Sequence, residues 1–197
     1  MNQVLGKSAG HRLEILECIN FLTNREKDPR LHNITYELVA SILMMAQNIS
    51  KEEALKKIDN VLSNGEAAEK FEKMVAALGG ASNILSSYNT QLQIDAFKKD
   101  ICIKQSGYVQ KIKTRDLGLA LIELGGGRKQ VTDKINFNVG YDNVLSVGDK
   151  VDVSTPLLTL YCHSDKDFEN VSKRIEGCFL ISDEEVSNHS DVYEVIS

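Results

Sequence analysis

The stretch with the most chemistry per residue is Leu5-Gly6-Lys7-Ser8-Ala9-Gly10, which runs into a helical pattern carrying Glu17. A glycine-bracketed loop exposes backbone carbonyls, and Glu17, two turns into the helix, is spaced to turn a carboxylate toward them. Carbonyls plus one carboxylate suit a hard cation that prefers oxygen. The competing reading places Glu17 on a wet helix face. The residues alone leave both open.

Other groups offer less. Leu124 to Gln130, LGGGRKQ, invites a phosphate cradle of glycine amides with Arg128 and Lys129. It fits neither the Walker spacing nor the dinucleotide fingerprint, and a helix C-cap followed by a tight turn accounts for it more simply. Val131 to Asn136, VTDKIN, is similar to the acylated hairpin of lipoyl carriers, and Val147 to Val151, VGDKV, to a turn of that fold. In such carriers the Val-Gly-Asp turn precedes the modified lysine, whereas Lys134 comes first here, so a β half-barrel is expected and a swinging arm is not.

The four histidines, His11, His32, His163 and His189, show no metal-ligand spacing. Glu52-Glu53 and Glu184-Glu185 are adjacent pairs that diverge on a helix or strand. The four cysteines, Cys18, Cys102, Cys162 and Cys178, form no Cys-x-x-Cys pair and read as reduced, mostly buried thiols.

The elements that must position these groups fall into two stretches. Apolar residues at helical spacing mark helices through Leu13–Leu22, Ile34–Met45, Leu55–Leu62 and Phe71–Leu78, with a capping box at Ser50-Lys51-Glu52-Glu53 and stops at Asp28-Pro29, Gly65 and Gly79-Gly80. The second helix is apolar enough to be buried on most sides.

From about Asp100 the period changes to two. ICIKQ, a Ser106-Gly107 turn and YVQKI read as strand, turn, strand; INFNVG, NVLSVGDKVDV, PLLTLYCH and CFLIS read as further strands. Short helices are expected over Asp116–Glu123 and around Phe168–Ile175. The fold class is therefore α+β: a helical segment (1–87), a linker (88–98), and a β-rich domain (99–197) with a barrel-sandwich-like half-barrel.

A net charge of −5 with scattered Lys and Arg argues against a nucleic-acid footprint. No run approaches the ~20 apolar residues of a membrane span, and no signal pattern opens the chain. A cytoplasmic location is the expectation.

Taken in order, MNQVL and SAG at the start, DPRL (28–31), NG and AAEKFEKMVAALGG (64–80), GYVQKI (107–112), LGGGR (124–128), VGDKV (147–151) and Pro156-Leu157 resemble the second half of the pyrimidine-nucleoside phosphorylase family. The resemblance implies a large α/β domain that closes on a small helical domain, and a reaction in which inorganic phosphate, the co-substrate, attacks C1′ of a pyrimidine nucleoside. It implies that Met1 is internal to a longer chain. The phosphate loop and the base-gripping residues would then lie upstream, so no catalytic or substrate-binding residue is assigned here.

One family feature falls inside: a structural monovalent cation held by the carbonyls of Leu5 and Ser8 and the carboxylate of Glu17, with two further ligands upstream. No other cofactor is expected. The expected partner is the missing N-terminal half, with a homodimer as a second expectation and neither nucleic acid nor membrane. The chain alone is expected to be inactive; a non-catalytic scaffold and one half of a split enzyme are the alternatives.

Overall fold

The computed structural model describes residues 2–186 together with 191 and 192. Among them are seven helices and six strands, arranged as an α+β fold. The chain divides into two compact units. One comprises Met1–Ile15 and Ile94–His189, the other Leu16–Gln93 and Ser190–Ser197.

The second unit is helical. Helix α1 (His11–Leu22) leads into it, followed by α2 (Pro29–Gln47), α3 (Lys51–Ser63), α4 (Glu66–Ala77) and α5 (Ile84–Gln91). Local chemistry sets each boundary. Asp28 caps α2, its carboxylate accepting from the Leu31 amide at 2.8 Å, with Pro29 in the first turn. Asn48 closes the helix in the left-handed conformation.

Ser50 and Glu53 complete the capping box in both directions. Those bonds to Ser50 hold the Glu53 carboxyl below its ordinary range. Phe21, Tyr36, Ala40, Ala54, Ile58 and Leu62 form the core of this unit. Tyr36 ties α2 to α3, its hydroxyl donating to Asp59 at 2.7 Å.

Two features depart from the sequence pattern. Helix α5 occupies a stretch with no clear apolar period; the Ser86 and Ser87 hydroxyls both donate to the Asn83 carbonyl at its start. Helix α2 is not covered on most sides, because Leu38, Ile42 and Met45 point outward.

The first unit holds two three-stranded antiparallel sheets. In one, β5 (Pro156–Cys162) lies between β1 (Phe97–Cys102) and β3 (Gly140–Asp142); in the other, β2 (Gly107–Ile112) lies between β4 (Lys150–Val151) and β6 (Phe179–Ser182). The described residues close no barrel. The core runs through both sheets, α6 (Thr114–Glu123) and α7 (Asp165–Glu176): Ile101, Val109, Leu117, Leu160, Val171 and Ile175 are among its members.

The alternation around Ser106-Gly107 reads as a local strand-turn-strand, yet β1 and β2 belong to different sheets. Gly107 has φ +148, and a β-carbon there would collide with the Ser182 carbonyl oxygen. The chain turns away from β1 at this residue to pair with β6. INFNVG becomes a strand only at Gly140, because the Asn136 amide donates to the Gly125 carbonyl at 2.9 Å and the Asn138 amide to Asn136 Oδ1 at 3.0 Å, which takes both out of any ladder.

Candidate functional site

The opening loop packs into the strand-rich unit. The Ala9 amide donates to the Tyr141 carbonyl at 3.0 Å and the Tyr141 amide donates back at 2.7 Å. Gln3 Oε1 accepts from the Val147 amide at 2.6 Å, and the Lys7 carbonyl accepts from the Val144 amide at 2.9 Å. Gly10 precedes α1 with φ +122, and its amide donates to Glu14 Oε1 at 2.8 Å, which satisfies an orphan donor at the helix start.

These contacts shape a cleft of about 330 Å³ lined by Leu5, Ser8, Glu14, Thr114, Leu117 and Tyr141, among others. Leu5 sits on its exposed edge and Ser8 is buried. The Tyr141 hydroxyl donates to the Leu117 carbonyl at 3.1 Å, and burial pushes its titration far above the ordinary phenol range.

Of the three residues assigned to the cation, Leu5 and Ser8 lie on this one bent loop of the first unit. Glu17 is half-buried on α1, among the residues of the second unit. Carbonyl and carboxylate oxygens are the donor types a hard cation prefers.

The glycine run is a helix terminus. The Gly125 amide donates to the Ile122 carbonyl at 3.0 Å and the Gly126 amide to the Leu121 carbonyl at 2.9 Å, with Gly125 at φ +90. The amides of Lys129 and Gln130 both donate, at 2.9 Å, to Asp133 Oδ2. The glycine amides are spent on the helix end, and a carboxylate of the chain itself holds the two amides that follow. Asp133 is the residue that reading LGGGRKQ as a motif overlooks; Asp four and three residues beyond two turn amides was the available signal.

Lys134 is exposed in coil between α6 and β3, with no hairpin around it. The Val147–Val151 turn forms as read: the Gly148 amide donates to the Val109 carbonyl at 2.8 Å, and the Val109 amide donates to the Asp149 carbonyl at 2.9 Å.

Two histidines meet one loop. Asn136 lies 2.5 Å from His163 Nε2, His11 packs edge-on against Phe137 with ring centroids 5.2 Å apart, and Arg12 donates to Asn138 Oδ1 at 2.5 Å. His32 stacks on Tyr36 at 3.9 Å in the helical unit, and His189 lies outside the described residues. No group of three His, Cys, Asp or Glu side chains among the described residues could hold a metal.

Glu52 pairs with Lys56 at 2.7 Å while Glu53 caps α3, so the two do not share a substrate. Among the cysteines, Cys162 and Cys178 are buried, Cys18 is half-buried and Cys102 is exposed; all four are free thiols, and burial raises each above its ordinary pKa. "Mostly buried" thus holds for the pair that packs in the β unit and fails at Cys102, the last residue of a strand whose outer positions face solvent.

The larger cavity, about 480 Å³, lies in the helical unit between Val39, Leu43, Ile58 and Val61. Its one charged lining residue, Lys57, already donates to Gln47 at 2.9 Å. Its lining is mainly apolar, with Thr35, Gln47 and Asn60 the other polar residues. No helix of the described residues is long and apolar enough to cross a membrane.

Residues 108–182 fit the model described as the Pyrimidine nucleoside phosphorylase C-terminal domain. The matched span begins in β2, takes in the helix-capping glycines and the Gly148-Asp149 turn, and ends with β6.

Proposed function

Because the chain carries a pyrimidine nucleoside phosphorylase C-terminal domain over residues 108–182, we propose that it is the C-terminal part of a thymidine phosphorylase. In this reading it supports a catalyst whose reacting groups lie on an upstream polypeptide. In the whole enzyme a phosphate oxygen attacks C1′ of the nucleoside as the C1′–N1 bond breaks. The base leaves with the bonding electrons and takes up a proton, and 2-deoxyribose 1-phosphate remains. On this reading the chain would serve pyrimidine nucleoside salvage, as a pentosyltransferase component acting in the cytoplasm.

The single observation that carries the reading is the family match, flanked upstream by the colinear motifs MNQVL, DPRL and AAEKFEKMVAALGG. The part this chain plays is structural. Its opening loop is anchored to the β unit through Gln3, Lys7 and Ala9, giving the upstream polypeptide a rigid wall against which to position its reactants. A structural monovalent cation on the Leu5 and Ser8 carbonyls and the Glu17 carboxylate belongs to the same reading. Inorganic phosphate is the co-substrate.

The test is phosphorolysis of thymidine followed by release of thymine. The purified chain alone is expected to show no turnover above background, and addition of a family N-terminal half is expected to produce it. Turnover by the chain alone would overturn the proposal, as would the absence of any physical complex with that half.

A further inference from the structure

Asn64 is the only asparagine of the chain that precedes a glycine. It closes α3, its amide donating to the Asn60 carbonyl at 3.0 Å, and Gly65 opens α4 at φ +85. The Asn64 side chain is exposed, and its Oδ1 accepts from the Glu66 amide at 2.9 Å. That bond holds the carboxamide at the junction of the two helices and polarises its carbonyl.

Gly65 supplies a nucleophile beside it. Among the described residues the Gly65 amide donates to no partner, so no hydrogen bond has to break before it gives up its proton. A β-carbon at Gly65 would meet nothing within 4 Å, so the approach to its nitrogen is open. Most of the other asparagines precede isoleucine, valine or phenylalanine, whose bulk crowds the same approach.

We propose that Asn64 is a site of spontaneous deamidation, converted to aspartate and isoaspartate through a succinimide closed by Gly65. The Gly65 nitrogen, its proton lost to hydroxide, attacks Asn64 Cγ. The N–Cγ bond forms, the Cγ–Nδ2 bond breaks, and Nδ2 takes up a proton from water and leaves as ammonia. Water then opens the ring. Opening at Cγ gives aspartate; opening at the main-chain carbonyl gives isoaspartate. The net change is one water consumed and one ammonia released, with no oxidant or reductant.

The resting geometry slows this reaction without forbidding it. With ψ −5 at Asn64, the peptide plane must turn before the Gly65 nitrogen meets Cγ. Opposite rotations about ψ of Asn64 and φ of Gly65 turn the plane and leave α3 and α4 in place, and a glycine tolerates the φ values on the way. Carrying Cγ to the nitrogen gives up the bond from the Glu66 amide. The products differ in their effect on the helices. The aspartate carboxylate keeps an acceptor at the start of α4, where negative charge is favourable. Isoaspartate adds a methylene to the backbone between α3 and α4. The inference stands apart from the phosphorylase reading and asks nothing of activity.

The test holds the full chain in weakly alkaline buffer at body temperature for days, then reads the tryptic peptide 58–70, cut after Lys57 and Lys70, by tandem mass spectrometry. That peptide carries its own control: Asn60 is exposed too, but sits inside α3 and precedes Val61. The expected result is replacement of NH by O at Asn64 as both acid isomers, about tenfold faster per pH unit because the nucleophile is the deprotonated amide. Asn60 should react slower by about tenfold or more, its neighbour crowded and held in the helix. Asn64→Gln, which would need a six-membered ring, should suppress the change and keep the wild-type helix content by circular dichroism. Asn64 left intact in the folded chain while the free peptide 58–70 converts would overturn the proposal. So would conversion of Asn60 at the same rate, or a rate indifferent to pH.

Discussion

Gly10 and Gly140 meet backbone to backbone. A β-carbon on Gly140 would lie 2.6 Å from the Ala9 carbonyl oxygen and 3.3 Å from the Gly10 α-carbon, and one on Gly10 would lie 2.8 Å from the Gly140 α-carbon. The two-way pairing of Ala9 with Tyr141 needs this approach, and through it the opening loop is held on β3.

Gly140→Ala should therefore destabilise the strand-rich unit by about 1–3 kcal/mol, the usual cost of forced overpacking. Gly118→Ala provides the opposite control. Gly118 is inside α6, and a β-carbon there meets nothing within 4 Å, so about 0.5–1 kcal/mol of stability should be gained from helix propensity. Urea melts report both. Equal effects of the two substitutions would refute the close approach.

The Tyr36 hydroxyl predicts a response to alkali. Burial, then the hydrogen bond and charge of Asp59, push the phenol from its ordinary 10.0 up to about 12. The folded state favours the protonated phenol. Its contribution is complete below pH 10 and drains away as pH rises toward 12. Tyr36→Phe should cost about 1 kcal/mol at neutral pH, and the gap between wild type and variant should narrow above pH 10. A gap that stays constant into that range would contradict the assignment.

Asp133 predicts the behaviour of the glycine run. With its carboxylate holding the amides of Lys129 and Gln130, those two amide resonances should not move on addition of millimolar phosphate. Asp133→Ala should speed their hydrogen exchange by about tenfold, the loss of roughly one hydrogen bond's net worth. Slow exchange persisting in the variant would show that the turn owes nothing to Asp133.

The cation reading predicts dependence on the upstream half. Melting of the chain alone should not distinguish potassium from tetramethylammonium at equal ionic strength. In complex with a family N-terminal half, potassium should add about 1.4 kcal/mol when present at about ten times its Kd. Glu17→Gln should erase that increment. A potassium effect on the chain alone, or one indifferent to Glu17, would remove these ligands from consideration.

Much of the fold was legible because its signals are local. The Ser50–Glu53 box and the glycine stops each act within a few residues, so α3 and α4 could be read from their boundaries and apolar period; α2 could be read from its period, but Asp28-Pro29, which reads as a break, is its cap, and the helix starts at Pro29 instead of Ile34. The cap role of Gly125 and Gly126 was equally plain. Helix α5 was not, because serine hydroxyls bonding back to Asn83 leave no apolar stripe to count. Strand content between Ile135 and Val139 was overread. There Asn136, Phe137 and Asn138 are engaged by His163, His11 and Arg12, residues far away in the chain.

The sequence by itself determined the α+β class, the capping box and most of the helix stops, and, through colinear motifs, the likeness to the phosphorylase family. Tertiary structure alone decided that β1 and β2 part into separate sheets and that the opening loop joins β3 through paired glycines. It also decided that one apolar face of α2 is left outside. Capping and periodicity are written in neighbouring residues, whereas sheet pairing, close backbone approach and exposure depend on partners brought together from distant parts of the chain, which no local pattern records.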